Sequence, residues 1–310
     1  MWRRLTVVAA TVLTLVLPAP ASGATPTGAA SPVATAADPS GAGGHAAGYV
    51  DTTVSAAGRS FSARIYYPAT TAGSGQPVAT GRFPAIAFGH GFLQGVSKYH
   101  STMSHLATWG FIVIAPTSQG GFSPDHSAFA DDLNAALTWA VAQDTSTGSR
   151  FAGHVRTDRL GLSGHSMGGG ASILAATRNP RVTAVANLAA AETNPSAKAA
   201  AAALTVPVRL IAGDRDTIAG VADHQRPIYA AAPPAKQLRV IKGGFHCGFM
   251  DSGSFFCDSG AISRATQLVL GKRLLTEWFL LYLAGDTTYD EAVWGAPAQT
   301  DPRVSFEGVR

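Results

Sequence analysis

Residues 160–170 read LGLSGHSMGGG and place one serine, Ser166, inside the pattern G-x-S-x-G. The pattern comes directly after a short apolar run that predicts a strand, and directly before a stretch, 167–178, that predicts a helix. In such a tight turn the serine hydroxyl stands at the edge of a sheet, and glycines flank it because the turn has no room for Cβ atoms. We therefore interpret Ser166 as a nucleophile; the alternative is an incidental serine in a glycine-rich turn.

Short apolar runs alternate with amphipathic or alanine-rich stretches along the rest of the chain. Continuous apolar runs are typical of strands buried on both faces, and regular strand–helix alternation predicts right-handed crossovers. We therefore expect an α/β fold, in which a doubly wound, mostly parallel sheet carries helices on both faces. The predicted parallel strands are 84–88, 111–115, 160–163, 182–188, 206–212 and 238–241, after an antiparallel pair at 50–54 and 61–67, and the predicted helices are 97–109, 128–142, 167–178, 222–231 and 262–284.

A serine hydroxyl is a weak nucleophile at neutral pH, so it needs a base and an acid that orients the base. In this architecture the acid and then the base follow the serine, at the carboxyl ends of later strands. Asp216 comes just after the run 206–212, and His246 follows the glycines after the run 238–241. We predict Asp216 as the acid and His246 as the general base. Asp214 is the alternative acid, but it is better placed to bind turn amides or the neighbouring arginine.

The tetrahedral oxyanion of acyl transfer needs two backbone N–H donors. One is the amide of Met167, the residue after the nucleophile. The second is expected from the loop after the strand 84–88, where the sequence reads GHGFL. We predict the amide of Phe92 as this donor. His90 and Leu93 are the competing donors, and plain wall packing is the alternative role for Phe92.

Apolar residues next to the predicted site suggest an acyl or aromatic acid group in the substrate. We expect Phe92, Leu93, His165 and Phe245 to contact the substrate, and ordinary core packing is the alternative. Because His165 adjoins the nucleophile, its ring should point away from the base and line the pocket.

The N-terminus carries the features of an export signal. Two arginines precede an apolar run at residues 5–17, and small residues follow at 19–24. The run has 13 residues, whereas a membrane-spanning helix needs roughly 20. We therefore expect residues 1–24 to be a signal peptide and not a permanent membrane anchor, residues 25–45 to be a flexible low-complexity segment, and residues 46–310 to be one catalytic domain. The protein is expected to be secreted.

The chain has two cysteines, Cys247 and Cys257. In an oxidising compartment an even pair at this spacing predicts a disulfide, and two buried free thiols are the alternative. No metal site is predicted, because only His246 lies close to the pair, and no cofactor is expected.

The composition excludes several classes of protein. Of the 310 residues, 46% are hydrophobic and 14% are charged, which is too apolar for an intrinsically disordered chain. Without the two arginines of the leader, 21 basic residues (23 − 2) face 19 acidic ones, so the net charge falls from +4 to +2. No dense basic stripe is present, so a nucleic-acid partner is not expected. We expect a monomer.

Taken together, these motifs resemble the secreted actinobacterial lipases and cutinase-type polyester hydrolases of the α/β-hydrolase fold. The resemblance is carried by residues 164–170, by residues 214–219 and by the glycine-rich run into His246. It implies the triad and the oxyanion amides named above. It also implies activity on short- and medium-chain esters and, for some members, on polyesters such as polyethylene terephthalate.

The chain departs from the family pattern in three places. Residues 189–194 hold no aromatic residue, where polyester-cleaving members usually carry an aromatic clamp. The loop 89–95 is longer than the usual oxyanion loop, and Cys247 comes directly after the histidine, whereas the family's disulfide usually lies nearer the C-terminus. These departures leave the predicted hydrolase in place but add little support for a polyester substrate.

We therefore predict a serine carboxylester hydrolase for short- to medium-chain acyl esters, with a small or polymeric ester as its partner and polyesters as a further substrate. A serine peptidase or amidase on the same triad is the alternative, although no cap domain or propeller that would select peptides is predicted. A non-catalytic cell-surface binding protein with a hydrolase fold is a third alternative, which the intact serine, aspartate and histidine disfavour.

Overall fold

The computed structural model describes residues 1–2, 5–6, 9–15 and 36–310. The chain divides into the unit Met1–Ala34 and the unit Thr35–Arg310. The predicted signal peptide and the low-complexity segment fall partly outside the described residues, and their roles stay predictions. None of the helices in the described residues combines the length and the apolar character that a membrane crossing requires.

In the described residues, ten strands form one sheet in the order β10-β9-β8-β7-β6-β4-β5-β2-β1-β3. The strands β4 to β9 run parallel, whereas β10 pairs antiparallel with β9 and the β1–β2 hairpin joins antiparallel to β5. The strands are β1 Ala46–Ala56, β2 Arg59–Ala69, β3 Gly73–Ser74, β4 Phe83–Gly89, β5 Ile112–Pro116, β6 Val155–His165, β7 Val182–Leu188, β8 Val208–Gly213, β9 Lys236–Ile241 and β10 Val304–Val309.

Helices cover both faces of this sheet. The helices are α1 His100–Thr108, α2 His126–Thr145, α3 Met167–Arg178, α4 Ala197–Ala201, α5 Gln225–Ala231, α6 Arg264–Phe279, α7 Asp290–Trp294 and α8 Ala296–Gln299. Because successive strand residues point to opposite faces, neighbours such as Ile65 and Tyr66 belong to different cores. One core packs the sheet against α2 to α5, and the other packs it against α1, α6 and α7. The predicted doubly wound α/β-hydrolase architecture is confirmed.

The sequence predicted the central elements closely and the peripheral ones less well. The strand 182–188 and the helix 167–178 have the predicted bounds, whereas the helix predicted over 222–231 begins at Gln225. The helix predicted over 262–284 is α-helical only to Phe279, and its last turn, Leu280–Ala284, is a π-helix. The edge strand β10 was not predicted, because its pairing with β9 joins segments that are far apart in the sequence.

Residues 36–45 form hydrogen bonds with the rest of the folded unit, although the sequence predicted a flexible segment over residues 25–45. The indole N–H of Trp109 donates to the carbonyl of Gly41 at 2.9 Å, and the N–H of His45 donates to the carbonyl of Thr108 at 3.0 Å. The strand β1 begins directly afterwards, at Ala46, where the catalytic domain was predicted to start, whereas the compact unit begins at Thr35.

Candidate active site

Ser166 occupies the turn between β6, which ends at His165, and α3, which begins at Met167. Its backbone has φ 55° and ψ −121°, a conformation that costs a non-glycine residue roughly 1–3 kcal/mol. The surrounding backbone holds it there: its N–H donates to the carbonyl of Leu188 at 3.0 Å, and its carbonyl accepts from the N–H of Ala191 at 3.0 Å. Because of this strain the serine side chain points out of the sheet edge instead of following the strand.

Glycine is required on both sides of this serine by close backbone packing. A Cβ atom on Gly164 would overlap the backbone of Gly168, and a Cβ atom on Gly168 would overlap the backbone of Gly89 at the end of β4. The two glycines therefore allow β6, α3 and β4 to meet at the point where the serine hydroxyl emerges.

Asp216 and His246 form a buried pair. The Nδ1–H of His246 donates to Oδ2 of Asp216 at 2.7 Å, and the Asp216 side chain is fully buried. The other carboxylate oxygen accepts from the N–H groups of Ile218 at 2.9 Å and Ala219 at 2.7 Å. Because Nδ1 faces this carboxylate, Nε2 is the ring nitrogen left to accept a proton, as the prediction of His246 as the base requires.

Asp214 has the other role that the sequence allowed. Its Oδ1 accepts from the N–H of Gly243 at 2.6 Å, at the turn that follows β9. Gly243 has φ +75°, so this turn needs a residue that tolerates the left-handed region. Asp214 therefore fixes the loop that carries His246, and Asp216 contacts the imidazole itself.

Ser166 and His246 line one cavity of about 510 Å³, a volume within the range of small-molecule sites. Within residues 36–310 no hydrogen bond joins the Ser166 hydroxyl to His246, and such catalytic contacts commonly tighten only when substrate is bound. The cavity wall holds no Lys, Arg, Asp or Glu, and its residues are Gly91, Phe92, Leu93, Gln94, Phe122, His165, Ser166, Ile218, His246, Cys247, Met250, Ser254 and Phe256. It is therefore suited to an uncharged, apolar substrate.

Of the candidates for the second oxyanion amide, Phe92 and Leu93 line the cavity. His90 does not: its ring is buried between the carbonyls of Gly91 and Ser118, at 2.9 and 2.8 Å. A turn closed by the N–H of Gln94 and the carbonyl of Gly91, 3.0 Å apart, holds the loop in place.

Met167 is the first residue of α3. Its N–H is among the helix N-terminal donors that have no intrahelical acceptor. The positive end of the helix dipole also favours a negative charge at this point. The choice of Met167 and Phe92 as the oxyanion donors stays a prediction that these positions support.

The expected contact of Phe245 with the substrate is corrected by the structure. Phe245 is buried and does not line the cavity. Its N–H donates to Gln267 Oε1 at 2.9 Å, its carbonyl accepts from Gln267 Nε2 at 2.7 Å, and its ring packs against Gly260. The backbone of Phe245 is extended, so its side chain and that of His246 point to opposite sides of the chain. Because the ring of His246 faces the cavity, the ring of Phe245 faces the core.

His165 lines the cavity, as expected, but its ring does not point away from His246: the two ring centroids lie 4.6 Å apart, and His165 supports the His246 backbone. Its Nε2–H donates to the carbonyl of His246 at 3.1 Å, and its Nδ1 accepts from the hydroxyl of Tyr99 at 2.9 Å. The same Tyr99 oxygen accepts from the N–H of Gly91 at 3.0 Å. Burial and the neighbouring His246 lower the pKa of His165 well below its ordinary value, so the ring is neutral and makes both hydrogen bonds.

The sequence analysis missed Tyr99 and Asp258. Tyr99 falls in a predicted helical stretch and carried no signal. Asp258 accepts from the N–H groups of His246 at 2.8 Å, Cys247 at 3.0 Å and Thr217 at 3.3 Å, and so it joins the loops of the acid and the base. The disulfide between Cys247 and Cys257 confirms the predicted pairing of the two cysteines. It also brings Asp258, the residue after Cys257, close to the backbone of His246, and this neighbourhood is the one signal in the sequence that could have pointed to Asp258.

Comparison with known proteins shows the family of this chain. Residues 26–308 match the family model described as PET hydrolase-like. The chain is similar to "Cutinase est1" of Thermobifida alba, 31% identical over 57% of this chain and 54% of that protein. It is also similar to "Cutinase est2" of Thermobifida alba, 30% identical over 75% and 68%, and to the "Bis(hydroxyethyl) terephthalate hydrolase" of Streptomyces coelicolor, 29% identical over 79% and 69%.

The family model covers nearly the whole folded unit, including Ser166, Asp216 and His246. The aligned relatives are named for ester-cleaving activity and reach about 30% identity. The chain belongs to the PET hydrolase-like family of α/β hydrolases and is an ester hydrolase.

Proposed function

We propose that this protein is a secreted serine carboxylester hydrolase that works through an acyl-enzyme. The hydroxyl of Ser166 attacks the ester carbonyl while Nε2 of His246 takes its proton, and Asp216 stabilises the imidazolium that results. The N–H groups of Met167 and Phe92 stabilise the oxyanion of the tetrahedral intermediate.

The second half of the cycle uses the same groups. The C–O bond to the alcohol breaks, and His246 returns the proton to the leaving alkoxide. A water molecule then gives a proton to His246 and attacks the acyl carbon. The bond between that carbon and Oγ of Ser166 breaks, and His246 returns the proton to Oγ, which releases the acid and regenerates the Ser166 hydroxyl.

One observation carries this proposal. His246, hydrogen-bonded to the buried Asp216, lines the same uncharged cavity as Ser166, and Ser166 is held in a strained strand-to-helix turn. Such strain persists only where the surrounding structure enforces it, and it is common at catalytic residues. The leader-like N-terminus and the disulfide support secretion.

The substrate proposed for this cavity is a short- to medium-chain acyl ester, with polyesters as a further substrate. The apolar wall supports an acyl or aromatic acid group, and the volume of about 510 Å³ suits a small ester or one short segment of a polymer. The printed names of the relatives, cutinase and bis(hydroxyethyl) terephthalate hydrolase, point to the same substrate class.

The test is a chain-length series of p-nitrophenyl esters with the wild type and Ser166→Ala. We expect the highest kcat/KM on short chains and a loss on the order of 10⁴- to 10⁶-fold in kcat for Ser166→Ala. Ser163→Ala is the matched control, because Ser163 lies three residues earlier and its hydroxyl donates to the carbonyl of Ala186 inside the sheet. It should retain its activity.

A fluorophosphonate probe gives an independent readout. Stoichiometric labelling of the wild type and of Ser163→Ala, with none of Ser166→Ala, is the expected pattern. Hydrolysis of a peptide series without ester turnover would favour the peptidase, and absence of any labelling would favour a binding protein.

A further inference from the structure

Large apolar side chains are exposed unevenly over residues 36–310. Seven such side chains are exposed in this range, and two of them, Val269 and Val309, lie away from the cavity. The other five surround the cavity mouth and are called the apolar rim: Phe92, Phe122, Ile218, Phe255 and Phe256. Single exposed apolar residues are ordinary, but a contiguous group at one place is typical of a binding surface.

Phe255 differs from the other members of the rim because it does not line the cavity. Its side chain is 94% exposed, and its ring contacts that of Phe256 edge to face, with 5.1 Å between the ring centroids. Phe256 does line the cavity and is 78% exposed. A small ester held inside the cavity would touch Phe256 and leave Phe255 in water. A partner for Phe255 must therefore extend beyond the cavity.

The loop that carries these two rings is fastened at its base. The disulfide joins its ends at Cys247 and Cys257. The ammonium of Lys98 donates to the hydroxyl of Ser252 at 2.9 Å and to the carbonyl of Gly253 at 2.7 Å. The disulfide holds the two ends of the loop together, and Lys98 ties its middle to the fold, while the two phenylalanines face solvent.

The charge around the cavity decides which partner fits. The cavity wall holds no Lys, Arg, Asp or Glu, and Lys98, beneath the loop, is already bound by loop oxygens. An anionic lipid surface is recognised by clusters of exposed basic residues, whereas the basic groups beside this loop are Lys98, bound by loop oxygens, and Arg264, half-buried against Gly253. An uncharged apolar surface is recognised by exposed aromatic rings, which the rim does offer.

We propose that Phe255, together with Phe256 and Phe122, forms an adsorption surface for an insoluble, uncharged ester polymer and holds the polymer over the cavity mouth. This inference rests on the proposed function, because it assigns a substrate form to the same cavity. In it the rim binds polymer segments outside the cavity, and the floor of the cavity cleaves the segment that enters.

The adsorption test uses inactive protein, so that binding is measured without hydrolysis. Ser166→Ala and Ser166→Ala/Phe255→Ser are mixed with polycaprolactone nanoparticles, and the unbound protein is measured after centrifugation. We expect the adsorption constant of the double variant to be about tenfold weaker, because one phenyl ring no longer buries part of its surface against the polymer. Ser166→Ala/Val309→Ser is the matched control, since Val309 is an exposed apolar residue away from the cavity. It should adsorb as Ser166→Ala does.

The activity test uses Phe255→Ser with the nucleophile intact. Hydrolysis of soluble p-nitrophenyl butyrate should stay within about twofold of wild type, because Phe255 lies outside the cavity wall, whereas polymer hydrolysis at low enzyme loading should fall about tenfold. Equal losses on both substrates, or unchanged adsorption of the double variant, would overturn the proposal.

Two further outcomes are informative. Stronger binding to phosphatidylglycerol vesicles than to the polymer, abolished by Phe255→Ser, would replace the polymer by a lipid surface and overturn the proposal. If Ser166→Ala keeps its activity on the soluble ester, the proposed function fails, whereas the difference in adsorption between Ser166→Ala and Ser166→Ala/Phe255→Ser, read against the Val309 control, still decides the role of Phe255.

Discussion

The floor of the cavity and its apolar rim are built on opposite principles. In the floor, Ser166, Asp216 and His246 are buried, and a network of hydrogen bonds fixes the side chains of Asp216 and His246. In the rim, Phe122 and Phe255 are 85% and 94% exposed on loops. The chemistry of ester cleavage needs one fixed geometry, whereas contact with an extended apolar substrate needs only exposed surface.

The difference follows from where each region lies in the fold. The floor stands at the carboxyl ends of β6, β8 and β9, where glycine turns and backbone packing leave little freedom. Polar groups there are shielded from water, so each hydrogen bond is strong and each unpaired group is costly. The rim gains nothing from hydrogen bonds, because its rings act through the area that they can bury.

The largest effect that separates the two regions is expected for Asp216→Asn. The asparagine Oδ1 can still accept from the N–H groups of Ile218 and Ala219, so the fold should be retained. Its amide then turns a donor towards Nδ1 of His246, which forces the wrong tautomer and is expected to lower kcat about 10⁴-fold. The measurement is kcat on a soluble p-nitrophenyl ester, together with the free energy of unfolding in urea.

Asp214→Asn is the matched control for this variant. Its oxygen can still accept from the N–H of Gly243, and it does not contact the imidazole, so kcat should change by no more than about threefold. A larger loss for Asp214→Asn than for Asp216→Asn would exchange the roles of the two carboxylates and contradict the assignment of the floor.

A smaller effect is expected from Tyr99→Phe, which tests how far the floor extends. The hydroxyl of Tyr99 joins the loop of Gly91 to His165, and His165 holds the carbonyl of His246. Its removal leaves a buried N–H and a buried ring nitrogen unpaired, at a cost of about 1–3 kcal/mol. We expect kcat per active site to fall about tenfold, with KM nearly unchanged, because the base and the oxyanion loop lose a shared support.

The control for Tyr99 is Tyr66→Phe. Tyr66 also contacts a histidine, with 3.0 Å between its hydroxyl and Nδ1 of His100, but neither residue lines the cavity. Active sites are counted by fluorophosphonate titration, so that a loss of folded protein is not mistaken for a loss of kcat. Equal falls in kcat per active site for the two variants would mean that the loss does not come from the link that Tyr99 makes between Gly91 and His165, and would contradict this prediction.

The floor could be predicted from the sequence where local rules fix it. The turn at Ser166 follows from strand, glycine and helix signals that adjoin one another within residues 160–178. The preference for Asp216 over Asp214 rested on strand-end placement, and the structure gives each carboxylate a separate partner. The disulfide followed from the presence of only two cysteines.

The supports of the floor and the identity of the rim could not be predicted in this way. Tyr99 reaches His165 from 66 residues earlier in the chain, and nothing in its own neighbourhood marks the contact. The error at Phe245 has a related cause. Neighbouring side chains on an extended backbone point to opposite sides, and the sequence alone did not fix whether the ring of Phe245 would face the cavity or the core. Phe255 and Phe256 gave no signal, because exposure is a property of the folded surface.

The smallest expected effect concerns stability in acid and belongs to the floor. Burial lowers the pKa of His165 well below its ordinary value of 6.5, and burial lowers the pKa of His105, outside the cavity, to about 4. Well above pH 6.5 neither histidine binds a proton in the folded or the unfolded state, so neither changes stability with pH. As the pH falls below 6.5, the unfolded chain binds protons that the folded protein does not, and stability is lost.

The loss is at most about 1.4 kcal/mol per pH unit for each of these histidines, and for His105 it levels off near pH 4. Urea unfolding at pH 7, 6 and 5 should therefore give a shallower decline for His165→Gln and for His105→Gln than for the wild type. Phe255→Ser should keep the wild-type slope, because the ring that it removes does not titrate. Of the three variants, only His165→Gln should also lower kcat on the soluble ester, since it alone contacts His246. An unchanged slope for His165→Gln would mean that the imidazole of His165 is protonated in the folded wild type. A protonated Nδ1 cannot accept from the hydroxyl of Tyr99, so the link from the loop of Gly91 through Tyr99 and His165 to His246 would not exist.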